Sequence, residues 1–222
     1  PIQVPVTLVT KSITNFTDLV NCVYYRIQGE DKYEGIEDKF NAGKYFILAN
    51  DFDATSTYGA DGMQWANAGR GFAGTLDGRN HTITGGEMYG GGLFGSIESG
   101  TVKNIKFADV KAVGANRVLI AGTLFNATLE NVEIYITDKK VCESGYFFGI
   151  LASHPVNNVT LTNVKIDAAG STFPWIGGNH PSNNADPAKW HCTNVEIIAD
   201  SVGCFASGNE GKLYLDQVEG LT

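Results

Sequence analysis

A short pattern of apolar and polar positions recurs from residue 102 onward, and it reads apolar–x–Asn–apolar–x–apolar. Its copies are centred on Asn104, Asn131, Asn163 and Asn194, with a degenerate fifth copy at Gln217. A straight half-buried strand alternates strictly, but here the apolar phase slips by one residue at the Asn. Asn tolerates the left-handed backbone that a bend can need. Each copy therefore predicts a strand, a corner occupied by Asn, and a second strand.

A second apolar segment, rich in Gly and Phe, precedes each of these copies. The segments cover residues 92–95, 122–125, 146–149, 173–176 and 202–205. Successive Asn (and finally Gln) positions are 27, 32, 31 and 23 residues apart, as read from their numbers. Repeats of this length are typical of solenoids built from stacked coils. We therefore expect each coil to contain one Gly/Phe strand and one bent pair of strands.

Stacking follows because one such coil cannot bury its own apolar face. Stacked coils pair their backbones in parallel, so we expect Leu129 to lie over Leu161 and Ile134 over Ile166. The repeated Asn side chains should form a ladder of amides at the corner. An antiparallel sandwich is the alternative, but it predicts hairpin turns that the long, unequal spacers do not provide.

The first 43 residues have a different pattern. Residues 4–10 alternate as a short strand, and apolar residues from Ile13 to Val23 recur at helical spacing, with Thr14 or Asn15 as the N-cap. We interpret this helix as a cap over the first coil, followed by an exposed loop at 29–41 and a core strand at 44–52. The prediction is a single domain over 1–222, with stacked coils from 44 to 222. Because the chain opens at Pro1 without an initiator Met or signal, we expect it to be part of a longer protein.

Three stretches of the chain carry a resemblance to a known family. They are Gly74-Thr75-Leu76-Asp77-Gly78-Arg79-Asn80-His81-Thr82-Ile83, then Gly92-Leu93-Phe94-Gly95, then Thr101-Val102-Lys103-Asn104-Ile105. Together they resemble the GLUG-type repeats of bacterial surface proteins, over roughly residues 12–220. The resemblance implies an all-β fold, a right-handed parallel β-helix with a short N-terminal capping helix, in an extracellular or cell-surface setting. The chain departs from this pattern after Gly149, which argues against a simple repetitive stalk in the C-terminal third.

Composition limits the classes of partner and of site that we expect for this chain. A formal net charge of −8 over 222 residues argues against nucleic acid, whose phosphates select basic surfaces. No apolar run approaches the length of a membrane span. The cysteines Cys22, Cys142, Cys192 and Cys204 lack the C-x-x-C spacing of zinc sites. Cys192 takes the apolar slot of the repeat, which predicts a buried thiol, and a Cys192–Cys204 disulfide is the alternative.

Outward carboxylates of the repeat are the candidates for catalysis. A glycosidase usually needs two carboxylates facing one cleft, and Asp109, Glu133 and Glu196 are available. Lys residues share the same strands, so a solvated face of alternating charge is the preferred interpretation. Asp51, Asp53 and Asp61 do not have the spacing of a calcium loop. We therefore predict no catalytic residue, no metal and no cofactor.

The long excursion at 171–191 holds the candidate ligand-binding residues. Aromatic rings beside amides and a carboxylate are suited to a sugar site, because they combine a stacking platform with hydrogen-bonding groups. The alternative is loop packing, with one Trp in the core and another pinning the loop. The candidates are Trp175, Asn179, His180, Asn183, Asp186 and Trp190.

These features favour a non-catalytic module of a bacterial secreted or cell-surface protein, acting as an adhesin, a spacer or a glycan-contacting domain. The expected partners are a glycan or a host or cell-surface protein, and the isolated domain should be a monomer. A carbohydrate-active enzyme related to pectate lyases or glycosidases is one alternative. A phage tail-fibre segment is another, and it predicts a trimer.

Overall fold

A computed structural model provides the structure of the chain. It describes residues 7–19, 22, 41–54, 64–65, 71–88, 93–112, 120–137, 152–170, 172–175 and 189–204. Within these ranges the secondary structure is almost entirely β. The elements in chain order are β1 (Lys11–Ile13), α1 (Phe16–Leu19), β2 (Tyr45–Leu48), β3 (Phe52–Asp53), β4 (Gln64–Trp65), β5 (Thr75–Thr84), β6 (Glu87–Met88), β7 (Phe94–Glu98), β8 (Thr101–Ala112), β9 (Ala121–Ile136), β10 (Ala152–Asp167), β11 (Thr172–Trp175), β12 (Lys189–Ile198) and β13 (Ser201–Cys204).

The strands stack in parallel along one axis. The main sheet follows the order β1-β2-β5-β8-β9-β10-β12, and each of these neighbours pairs in parallel. Short strands add to it, with β3 beside β5 and β7 beside β9. Sequential strands that pair in parallel with crossovers between them define a solenoid. The predicted all-β parallel β-helix is therefore confirmed.

Inward side chains form columns along the axis. Leu161 lies in register with Leu129 on one side and Cys192 on the other, and Ile166 lies in register with Ile134. These apolar side chains are buried within one continuous core. The predicted stacking is confirmed, and its free energy comes from apolar area that a single coil would leave in water.

Cys192 continues the leucine column as a small apolar residue. It is 8% exposed and is a free thiol, so the predicted buried thiol is confirmed and the alternative disulfide to Cys204 is wrong. Burial raises the pKa of the Cys192 thiol to about 11, because the thiolate would lose its hydration. The side chain therefore serves packing rather than nucleophilic chemistry.

The coil that contains β9 turns at two corners rather than one. In the 16-residue strand β9, both Asn126 (φ 47°) and Asn131 (φ 52°) adopt left-handed backbone conformations. Ser99 takes the same conformation where β7 ends, with φ 64°. The first corner separates residues 121–125 from 127–130, and the second separates these from 132–136. The coil thus presents three successive walls, and the Asn of the repeat marks the second corner.

The first two Gly/Phe segments do not align with each other as their composition suggests. Phe94 pairs with Ala121, and Ile97 pairs with Leu124, because these are the residues that point into the core. The third coil supplies residues 152–156 to the same wall, whereas 146–149 lie outside the described ranges. Strand β11 pairs with β13 in a separate two-stranded sheet. The register expected between the last two segments is confirmed, since Phe173 pairs with Val202 and Trp175 with Cys204. The prediction that all five segments are equivalent strands is wrong, because the first two are shifted against each other.

The N-terminal cap is described in part, because residues 20, 21 and 23 of the predicted helix lie outside the described residues. Residues 7–10 are not a strand, and β1 begins at Lys11. The helix α1 has four residues, and Asn15 caps it by accepting a 3.0 Å hydrogen bond from the backbone N–H of Asp18. Phe16 and Leu19 are buried against the first coil, which confirms a capping helix. The predicted boundary near residue 43, between the N-terminal segment and the stacked coils, stays a prediction.

Candidate functional site

The outward side chains on both sides of the Asn corner form what we call the outer face. Strand register arranges them in columns that run parallel to the solenoid axis. The threonine column contains Thr75, Thr101, Thr128, Thr160 and His191. The first charged column contains Asp77, Lys103 and Glu130 and continues through Thr162 and Thr193. The second charged column, beyond the corner, contains Lys106, Glu133, Lys165 and Glu196.

The corner between these walls carries the predicted Asn ladder. Its four members have nearly identical backbones, with φ of 51° or 52°. Each amide Nδ2 donates to the side-chain oxygen of the preceding coil, at 2.8 Å from Asn131 to Asn104, 2.8 Å from Asn163 to Asn131 and 2.9 Å from Asn194 to Asn163. Asn104 donates in turn to Asp77 Oδ1 at 3.0 Å. The ladder is confirmed, and its N-terminal end is the carboxylate of Asp77.

Asp77 is the most highly engaged ionisable side chain of the outer face. Besides Asn104, it accepts hydrogen bonds from the Tyr45 hydroxyl at 2.6 Å and the Arg79 backbone N–H at 3.0 Å, and Lys103 Nζ lies 3.8 Å away. Burial alone would raise the pKa of Asp77, but these donors and the Lys103 charge outweigh it and lower that pKa. Asp77 is therefore held as an anion that ties three successive strands together.

Tyr45, Asp77 and Lys103 form a triad of phenol, carboxylate and ammonium. Tyr135, Glu133 and Lys106 form a similar triad on the other side of the Asn corner. The Tyr135 hydroxyl donates to Glu133 Oε2 at 3.0 Å, and Lys106 Nζ lies 3.9 Å from the same oxygen. The ammonium also sits 4.5 Å from the centroid of the Tyr135 ring. The hydrogen bond to Glu133 and burial raise the pKa of Tyr135, so the phenol stays protonated as a donor. This arrangement matches the first triad, in which Lys103 lies 5.4 Å from the Tyr45 ring centroid.

The second charged column alternates in sign over four coils. Lys165 follows Glu133 in register and forms a 3.0 Å ion pair with Glu196 on the next coil. The hydrogen bond to Glu196 raises the pKa of Lys165, which keeps it cationic. Opposite charges directly across a sheet support the pairing of the strands that carry them. The predicted face of alternating charge is confirmed.

This alternation bears directly on the proposed catalytic carboxylates. Glu133 and Glu196 are two strands apart, a separation of about 9–10 Å at the usual strand spacing, which lies at the upper limit for an inverting glycosidase. Lys165 occupies the position between them. Asp109 is exposed and lies in a bulge, with φ 52°. The three carboxylates therefore do not converge on one cleft.

The candidate residues of the 171–191 excursion are placed only in part. Trp175 ends β11, where its backbone pairs with Cys204. Trp190 is 3% exposed and lies in register with Val159, so its ring packs in the core and offers no stacking platform to a ligand. The remaining four candidates, Asn179, His180, Asn183 and Asp186, lie outside the described residues.

Of the three acidic residues considered for calcium, Asp51 is engaged by neighbouring protein groups. Asp51 Oδ1 accepts a 2.9 Å hydrogen bond from the Thr82 backbone N–H and lies 2.9 Å from His81 Nδ1. The Thr82 bond, followed by the His81 contact, lowers the pKa of Asp51. Asp61 lies outside the described residues. In the part of the chain that the structure describes, no group of three or more potential ligands could hold a metal ion.

Pattern reasoning missed the two tyrosines, Tyr45 and Tyr135, and the hydrogen-bonding role of Asp77. The register that joins Tyr45, Asp77 and Lys103 depends on loops whose length the repeat does not specify. One signal was available, since Lys103 and Lys106 flank the same corner Asn and each precedes an acidic residue in the following coil. That signal predicts axial charge pairing, although it does not reveal the tyrosines.

Comparison with protein-family models, with curated proteins and with solved structures finds no match for this chain. Within the described ranges, no helix has both the length and the apolar character needed to cross a membrane. What the chain does is therefore inferred from the geometry of its outer face.

Proposed function

We propose that this chain is a non-catalytic, glycan-contacting module of a secreted or cell-surface protein. The observation that supports it is the axial pairing of the charged side chains on the outer face. Asp77 is engaged by Lys103, Glu133 by Lys106, and Glu196 by Lys165. These contacts give the face a regular charge pattern, and each of these three carboxylates has a lysine ammonium within 4 Å. Repeated polar side chains on a rigid scaffold are suited to binding an extended ligand.

A carbohydrate-active enzyme is the second candidate, and the spacing of Glu133 and Glu196 is the observation that favours it. An inverting enzyme needs one carboxyl that carries a proton and a carboxylate that activates water. Lys165 lies between the two glutamates and forms an ion pair with Glu196, so it occupies the space that a substrate bond and a water would need. This geometry favours binding without turnover.

A glycan array probed with the intact protein tests the proposal. We expect retention of a subset of oligosaccharides with no change in their length after prolonged incubation, measured by mass spectrometry. A folded protein that retains no glycan would contradict glycan contact. Turnover that is lost in Glu133→Gln or Glu196→Gln but kept in the matched control Glu130→Gln would establish the enzyme instead. Glu130 is the suitable control because it is an exposed carboxylate on the other wall of the same strand.

A further inference from the structure

The wall between the two corners, formed by residues 127–130 of β9 and their register partners, loses its charges toward the C-terminal end of the stack. Its first charged column begins with Asp77, Lys103 and Glu130 on β5, β8 and β9. On β10 and β12 the same column continues with Thr162 and Thr193. The column beside it contains Thr at four consecutive levels and then His191. A single wall therefore changes from charged to hydroxyl-bearing between its third and fourth levels.

We call the C-terminal part of this wall the hydroxyl patch. Thr193 is exposed and the other members are half-buried. Neighbouring strands place these side chains about 4.8 Å apart along the axis, and alternate residues of one strand place them about 6.7 Å apart across it. The patch consists of Thr128, Thr160, Thr162, His191 and Thr193.

The hydroxyls of this patch are not committed to the fold. Among the described residues, no side-chain hydrogen bond involves Thr128, Thr160, Thr162 or Thr193, in contrast to the Asn ladder beside them. A Thr hydroxyl can both donate and accept a hydrogen bond. The patch thus offers a regular grid of dual-purpose groups, held flat by strands that are paired on both sides of β10.

Size and charge indicate what this grid fits. Three strands and two columns cover on the order of 200 Å² with their side-chain margins, whereas a stable protein interface needs about 800 Å² from each partner. The area is therefore too small for a second copy of the chain and is sufficient for a few sugar units. The chain carries a formal charge of −8, and Glu130 borders the patch, so polyanionic glycans are repelled.

We propose that the hydroxyl patch binds an uncharged polysaccharide, with its hydroxyl groups hydrogen-bonded to the threonines. This proposal rests on the proposed glycan contact and adds the position and the ligand class. The threonine methyl groups present small apolar surfaces between the hydroxyls, and they are complementary to the C–H faces of a sugar ring. The ligand runs across successive coils, because the free hydroxyls repeat in that direction.

The test compares Thr160→Val/Thr162→Val/Thr193→Val with wild type in binding to neutral and to uronic-acid-containing oligosaccharides, measured by isothermal titration calorimetry. Val keeps the shape and the β propensity of Thr but removes the hydroxyl. We expect the triple variant to lose affinity for neutral oligosaccharides by about tenfold or more, since several hydrogen bonds are lost. The matched control Thr137→Val changes an exposed Thr beyond the end of β9 and should bind as wild type does.

Failure of the patch proposal and failure of the proposed glycan contact give different results in this test. If folded wild type binds neither class of oligosaccharide, the proposed glycan contact is itself wrong, and the patch proposal falls with it. If wild type binds neutral oligosaccharides and the triple variant binds them equally well, glycan contact stands and only the patch is excluded. Stronger binding of the acidic oligosaccharides would also overturn the patch proposal. Circular dichroism melting of every variant confirms that lost binding is not lost folding.

Discussion

Asp77 shows how much one side chain contributes to the order of the outer face. It lies at the level where the Asn ladder begins, and its side chain is only 14% exposed. Two of its side-chain donors come from residues 32 positions earlier and 27 positions later in the chain. A carboxylate in this position can accept all of these bonds at once, because it has two oxygens and no proton to place.

The lowered pKa of Asp77 makes stability depend on pH. A group whose pKa is lower in the folded state adds stability above its ordinary value of 3.8, and that stability is lost as the pH falls through the folded-state pKa. We expect Asp77→Asn to reduce the free energy of unfolding at pH 7 by roughly 1–3 kcal/mol, because a charge-assisted network is weakened. This difference from wild type should shrink as the pH falls below about 4, as measured by urea denaturation across pH.

Asp51→Asn is the control for this experiment. Asp51 also has a lowered pKa, but its side chain is 69% exposed, so solvent screens its contacts. We expect a smaller difference at pH 7 than for Asp77→Asn. An Asp77→Asn difference that stays constant down to pH 2 would show that the network does not depend on the charge.

Single residues were predictable from sequence where the repeat states their role. The four corner Asn positions and the burial of Cys192 follow from the phase slip in the apolar pattern of the repeat. The roles of Tyr45 and Asp77 do not follow, because the intervening loop decides which coil faces which. Trp190 shows the opposite error, since its polar neighbours suggested a ligand site while its register with Val159 places it in the core.

At the scale of the element, the corner depends on a backbone conformation that Asn accepts at modest cost. Asn163 has φ 52° and both donates to and accepts from neighbouring coils. We expect Asn163→Ala to lower the free energy of unfolding by roughly 2–4 kcal/mol, because it loses two hydrogen bonds and strains a left-handed residue that has a Cβ. Asn163→Gly should cost less, since it loses the bonds but not the backbone conformation. Urea denaturation of the two variants separates the cost of the lost hydrogen bonds from the cost of the strained backbone.

Equal losses in the two variants would indicate that the hydrogen bonds alone hold the corner, and a negligible loss in both would contradict the role of the ladder.

The other corner of the coil shows why the sequence predicted only one corner. Its left-handed positions in successive coils are Ser99 and Asn126. Ser99 and Asn126 differ in residue type, and the next coil has two residues, Asn157 and Asn158, opposite Asn126, so no fixed one-residue pattern marks this corner. Repeated side-chain chemistry predicts a bend, whereas backbone conformation without it does not.

At the scale of the whole molecule, each coil contacts mainly its neighbours along the axis. In such a stack, stability adds up from coil to coil, and interior coils are supported on both sides. Strands β9 and β10 pair on both edges, whereas β1 pairs only with β2 among the described strands. We therefore expect amide hydrogen exchange to be slowest within 121–136 and 152–167 and to become faster toward β1. Mass spectrometry of peptic fragments measures this gradient.

Uniform protection along the chain would contradict the coil-by-coil description and would indicate one cooperative unit.

The architecture itself was the most predictable property, because parallel stacking follows from the repeated apolar columns and does not depend on the loops. Coil lengths, the extra corner and the separate β11–β13 sheet were not predictable, since they depend on insertions that the repeat tolerates. The expected secreted or surface setting and the trimeric tail-fibre alternative stay predictions.

The direction of the Asn ladder has a consequence for how this chain can grow by duplication. Every amide passes its hydrogen bond toward the N-terminus, and Asp77 receives the last one without being able to pass it on. A duplicated coil carrying Asn can therefore enter anywhere between Asp77 and Asn194, because it would donate on one side and accept on the other. A coil inserted before Asp77 would meet a carboxylate that has nothing to donate. In lineages that vary in length, we expect new coils to accumulate on the C-terminal side of that residue.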